Sequence, residues 1–338
     1  MPLRGGKGLS KKVKDTEYLF LSAMLAARSS RMLGRDGIER ILNAPGYAEC
    51  AKMLIENGYA DMSEMTAGEV EETLAQRRAD IFAELLSLSP ASAPVDIFRM
   101  KYDYHNIKTA VKSAAQGISA KHLYSRSGRV SPENIERACT SDEASDIPVV
   151  LAAAMEEAKT MLARTGSPQS ADVLLDKACF AEMADMANAT GSEFLAGYVR
   201  FMIDALNLKA AVRVLRIGAD KGFLLNVLIS GGNVDIQRFA EMSSDDFGGI
   251  FTATPLTKAA AIAQETLKGA PLAELELACE NAEMEYLSTA KLKGFGEMPV
   301  VLYIADVLRE MTAVRMVLTG LLAGLDKDSI RKKLSDKL

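Results

Sequence analysis

One polar pattern, set into apolar helical stretches, returns three times along the chain at intervals of roughly 100 residues. An acid marks each copy: Asp103, Asp204 and Glu310. Three residues on come Asn106, Asn207 and Ala313; one further come Ile107, Leu208 and Val314; then Lys108, Lys209 and Arg315. A looser copy without the acid lies in "AARSSRMLG", around Ala26. After each copy the chain reaches a Gly and then a short amphipathic helix: "GRDGIERIL", "GRVSPENIERAC", "GGNVDIQRFAEM" and "GLDKDSIRKKL". Such periodicity means one supersecondary unit reused, with neighbouring copies burying faces that a single copy cannot bury alone. At about 100 residues the unit has the size of a domain, which points to duplicated helical bundles rather than a short-repeat solenoid.

At ~100° per residue, the acid, the residue three on and the apolar residue four on share one helix face, while the basic residue five on points away. A carboxylate and an amide therefore sit beside the core, where an unpaired charge is costly. Two readings follow. The set Asp103, Asn106, Lys108, Asp204, Asn207, Lys209, Arg213, Glu310 and Arg315 is either an internal network fixing how the helices of each unit cross, or a partner-binding surface repeated around an axis. We read it as architectural first.

The rest of the chain agrees with an all-α fold. Good helix formers dominate, and no segment alternates at period two. Long helices are expected from near Thr16 to Gly34, in "TAGEVEETLAQRRADIFAELLSLSP" up to Pro90, through "KYDYHNIKTAVKSAAQG" to Gly117, after Gly191, and from Pro299. Ser131-Pro132-Glu133 has the cap, pre-set turn and acid of a helix start. We divide the chain into a flexible basic N-terminus (1–15), three helical units (16–94, 95–190 and 191–298), and C-terminal helices that close the bundle (299–338).

Several chemistries lack their raw material. A net charge of −5 argues against nucleic acid as a partner. The four cysteines form no Cys-x-x-Cys pair, and two histidines leave little for a triad or a His-rich metal site. "RGGKGLSKK" lacks phosphate-loop spacing and a preceding strand. Glu156, Glu157, Glu280, Glu283 and Glu285 have no Glu-x-x-His partner, which disfavours a di-iron bundle. The 17 methionines are scattered like core filler. No catalytic residue, metal or cofactor is expected. No apolar run reaches the length of a membrane span and no signal-peptide stretch opens the chain, so a cytoplasmic location is expected.

The stretches "DIFRMKYDYHNIKTAVKSAAQG", "FMIDALNLKAAVRVLRIG" and "MPVVLYIADVLREMTAVRMVLTGLLAGLDKDSIRKKL", with "YLFLSAMLAARSSRML" near the start, resemble the C subunits of prokaryotic V-type (A-type) ATPases, counterparts of the d subunits of eukaryotic V-ATPases. The resemblance covers nearly the whole chain from about residue 16, with the middle of each unit matching poorly. Ala313 departs from the Asn usual at that place, which weakens the third polar set. The resemblance implies three similar helical bundles in a funnel around a pseudo-threefold axis. It implies a non-catalytic central-stalk adaptor that couples the rotating shaft subunits to the membrane proteolipid ring for proton or sodium transport. Such a part is peripheral on the cytoplasmic membrane face, held through the ring rather than by its own spans. The alternatives are a helical metal-carboxylate enzyme and a repeat scaffold that binds protein partners; three acids converging on one open pocket would favour the enzyme.

Overall fold

The computed structural model describes residues 13–141, 146–241 and 247–335. Most of the expected basic lead-in therefore lies outside the described residues. All regular elements among them are helical. The N-terminal part comprises α1 (Leu19–Ser29), α2 (Arg35–Leu42), α3 (Tyr47–Ile55) and α4 (Ala67–Leu88). The long α5 (Ala93–Gln116) leads into α6 (Pro132–Thr140), α7 (Val149–Thr165) and α8 (Pro168–Thr190). A second long helix, α9 (Glu193–Arg216), leads into α10 (Lys221–Val227), α11 (Ile236–Glu241), α12 (Phe247–Ile250), α13 (Thr257–Leu267) and α14 (Leu272–Ser288). The third, α15 (Glu297–Leu322), is followed by α16 (Lys327–Ser335).

Two boundaries differ from expectation. The first helix stops at Ser29 instead of running to Gly34. Ser30 Oγ turns back to the Ala27 carbonyl, and the Leu33 amide is taken by Glu310, far away in sequence, so the backbone groups that would extend the helix are spent elsewhere. The last long helix opens at Glu297, two residues before Pro299. A proline in the first turn removes only an amide that has no intrahelical partner there.

Each long repeat helix is the hub of its own neighbourhood. α5 packs on α6, α7 and α8, and α9 packs on α8, α10, α13 and α14. The hub α15, last in the chain, packs on α1, α2, α3 and α4 at the chain's beginning, and also on α5. The N-terminal helices are thus completed by a helix nearly 300 residues away, with α16 lying against α2. One continuous core joins the α1–α8 region to α15, whereas a second core from Phe201 to Ala282 fills the space among α9, α10, α13 and α14. Fourteen residues beyond each acid stands a left-handed glycine, Gly117, Gly218 or Gly324, with φ of 65°, 68° and 72°. That conformation suits glycine and ends all three hubs at the same register.

Candidate functional site

The acid of each hub helix is buried and grips the loop that leads into a short helix. Asp103, fully buried on α5, accepts from the amides of Arg129 (2.8 Å) and Val130 (3.1 Å) and from Arg129 Nε (2.6 Å), just before α6. Asp204, equally buried on α9, accepts from the amides of Asn233 (3.0 Å) and Val234 (3.2 Å) and from Asn233 Nδ2 (2.9 Å), just before α11. Glu310 on α15 accepts from the Leu33 amide (2.5 Å), just before α2, and from the Tyr59 hydroxyl (2.7 Å). Val130, Val234 and Leu33 occupy the same place, two residues ahead of the first residue of the short helix, and all three are buried. Each acid therefore takes that one backbone amide on one oxygen and a side-chain donor on the other.

The asparagines close the same loops from the opposite side. Asn106 donates to the Ser125 carbonyl (2.8 Å) and accepts from the Ser125 amide (2.8 Å); Asn207 does both with Ile229 (2.7 and 2.8 Å). Such a two-way bond holds a backbone residue as a strand neighbour would, without any strand. Ala313 makes no such bond, and the third loop is held by Glu310 with Tyr59 instead.

Charge balance differs between the copies. Burial raises Asp103 above the usual carboxylate range, with Arg129 pulling the other way. Arg129 also reaches Glu182 on α8 (2.7 Å), and Tyr104 donates to the other oxygen of Glu182 (3.0 Å), so this acid heads a four-residue chain. Burial likewise raises Asp204, which among the described residues has the neutral Asn233 and backbone amides as its hydrogen-bond donors. Around Glu310, burial first and the carboxylate second push the Tyr59 phenol far up, so it remains a donor.

The basic members of the repeat point outward and tie each hub to a long neighbour. Lys108 pairs with Asp176 on α8 (2.6 Å), Arg213 with Glu276 on α14 (2.6 Å), and Arg315 with Glu71 on α4 (3.3 Å). Lys209 also faces α14, where its charge is felt by the Cys279 thiol. These half-exposed pairs are worth under about 1 kcal/mol each.

The three acids serve three different loops and do not converge. Among the described residues no three His, Cys, Asp or Glu side chains are placed to hold a metal ion. Reading the sequence for the repeat missed Arg129, Asn233 and Tyr59, which come from loops with little periodicity. It also missed Arg99 and Arg200, four residues before Asp103 and Asp204. Arg99 donates to the Gly128 carbonyl (2.5 Å) and Arg200 to Asn233 Oδ1 (3.2 Å). An Arg-x-x-x-Asp spacing shared by the first two copies, with Asp306 at the matching place in the third, was the available signal. Gly128 and Gly232 were a second signal: a side chain at either would run into the acid it faces.

The profile of the ATP synthase (C/AC39) subunit family matches residues 21–333. Among curated proteins, the C subunit of the V-type sodium ATPase of Enterococcus hirae is 20% identical over 90% of this chain and 94% of its own length. The C subunit of the V-type ATP synthase of Deinococcus radiodurans is 22% identical over 96% and 93%. The C subunit of the A-type ATP synthase of Haloferax volcanii is 26% identical over 95% and 97%.

Proposed function

This chain belongs to the ATP synthase (C/AC39) subunit family, and we propose that it is the central-stalk adaptor joining the rotating shaft to the proteolipid ring. It is a non-catalytic subunit of a rotary V/A-type ATPase. The observation that carries the adaptor reading is the use made of the repeated acids. Each is spent on fixing a loop from inside, which leaves the three acids no shared reactive pocket and yields three stiffened helix–loop–helix units.

Stiffness is what torque transmission demands. Helices locked by packed faces and satisfied buried polar groups have few soft modes. We place the three units around a pseudo-threefold axis, as residues 16–94 closed by 299–338, residues 95–190 and residues 191–298. A funnel of that kind offers a socket to a single shaft at one end and a rim to the ring at the other. The protein then sits on the cytoplasmic face, held by the ring. No helix among the described residues is long and apolar enough to cross a membrane, which fits attachment through other subunits. The transported ion, proton or sodium, is set by those subunits.

The test is a pull-down from membranes solubilised in mild detergent, with this chain tagged. Shaft subunits and proteolipid should both be retained, and the chain expressed alone should release no phosphate from ATP. Retention of neither partner sinks the adaptor role; retention of the shaft alone removes the ring from it.

A further inference from the structure

We propose that the loop between α1 and α2 forms a docking pocket for an acidic segment of a neighbouring protein subunit, held by Arg31, Arg35 and Arg40. These arginines line one cavity of about 440 Å³, together with Asn57 and a single acid, Asp36. All three are exposed, and none makes an ion pair or a side-chain hydrogen bond among the described residues. The pocket thus keeps a surplus of positive charge on a chain whose net charge is −5.

The corresponding loops of the other two units show what internal satisfaction looks like. Before α6, Arg126 pairs with Glu133 (3.5 Å) and the partly buried Arg129 is bonded to Asp103 and Glu182. Ser131 caps the helix by accepting from the Asn134 amide (3.2 Å). Before α11, the loop carries Asn233 in place of a cation, and Asp235 accepts from the Gln237 amide (2.9 Å). Before α2, the residue in the capping place is Gly34, with no side chain to offer, and the cations pair with no acid among the described residues. Among the described residues of the three loops, this is the one that gathers several unpaired cations around a single cavity.

Carboxylates on a protein segment fit best. Guanidinium forks bind carboxylates two-pronged, and three of them around one cavity match several acids on one helix or extended strand. A nucleic acid would need many more phosphate contacts than three arginines provide. A lone small anion, facing exposed and screened charges with Asp36 alongside, gains little. The bond that the Leu33 amide donates to Glu310 fixes the loop from behind, so the arginines are presented on a backbone that needs no ordering on contact. This inference rests on the proposed function in one respect, that other subunits surround the chain.

The experiment uses the assembled ATPase, purified through a tag on another subunit. The variant R31E/R35E/R40E should be retained at least tenfold less than the native chain at about 0.15 M salt, and the difference should shrink at about 1 M salt. The triple lysine variant, which keeps the charge and loses the fork, should be retained between the native chain and the glutamate variant, and the melting curve of the isolated glutamate variant should be unchanged, since no native pair among the described residues is lost. A photo-crosslinking residue in place of Asn57 should join an Asp- or Glu-rich segment of another subunit. Undiminished retention of the glutamate variant, or crosslinks only to lipid or to a segment without acids, overturns the pocket while leaving the adaptor role standing. If the native chain itself is not retained, both readings fall.

Discussion

Asp103 and Asp204 do the same job, one with an arginine bonded directly to it and one without. Both are fully buried, both accept two loop amides and one side-chain donor, and both are opposed by a glycine that lets the loop approach. Around Asp103 the third donor is a guanidinium shared with Glu182, which makes the latch part of a partly buried ionic chain. Around Asp204 it is the amide of Asn233, and the nearby cation, Arg200, acts on the carboxylate through space while bonding to Asn233 Oδ1. A buried carboxylate needs its donors more than it needs a counter-ion; once a counter-ion is present, however, removing it strands the acids that depended on it.

The largest expected effect breaks the ionic latch. Arg129→Met leaves the buried Asp103 and the partly buried Glu182 without their cation and should cost about 3–5 kcal/mol by urea unfolding. Asp204→Ala strands three donors without stranding any charge, and should cost about 2–4 kcal/mol. Parity between the two variants would mean that the counter-ion adds nothing. Asn233→Ala removes one neutral bond and should cost about 1 kcal/mol.

The comparison sharpens with pH. Burial raises Asp103 in the folded chain, and losing Arg129 raises it further. A carboxyl whose folded pKa lies above its unfolded value, near 4, binds more protons when folded, so its stabilising contribution is present at low pH and is lost as pH rises through the folded pKa. The deficit of Arg129→Met relative to the native chain should therefore be smaller at about pH 4 than at about pH 7. A pH-independent deficit would assign the loss to packing. The smallest effect belongs to the outward pairs: Arg213→Ala should change stability by less than about 1 kcal/mol, and still less in high salt.

The all-helical class, the three hubs and the placement of their acids beside the core were legible in the sequence, because helical periodicity and the cost of burying a carboxylate are local facts. Asp103, Asn106, Asp204 and Asn207 announce themselves by spacing alone. Their partners do not: Arg129, Asn233 and Tyr59 sit in loops of differing length, where no period marks which residue will face the acid. The third copy shows the limit most clearly. Its hub lies late in the chain while the loop it holds, at Leu33, lies early, and its Asn is replaced by Ala313. A residue's own neighbours determine whether it will be helical and which face it buries. Which distant amide a buried acid accepts from depends on how the hubs pack together, and only the folded chain brings its two ends to the same carboxylate.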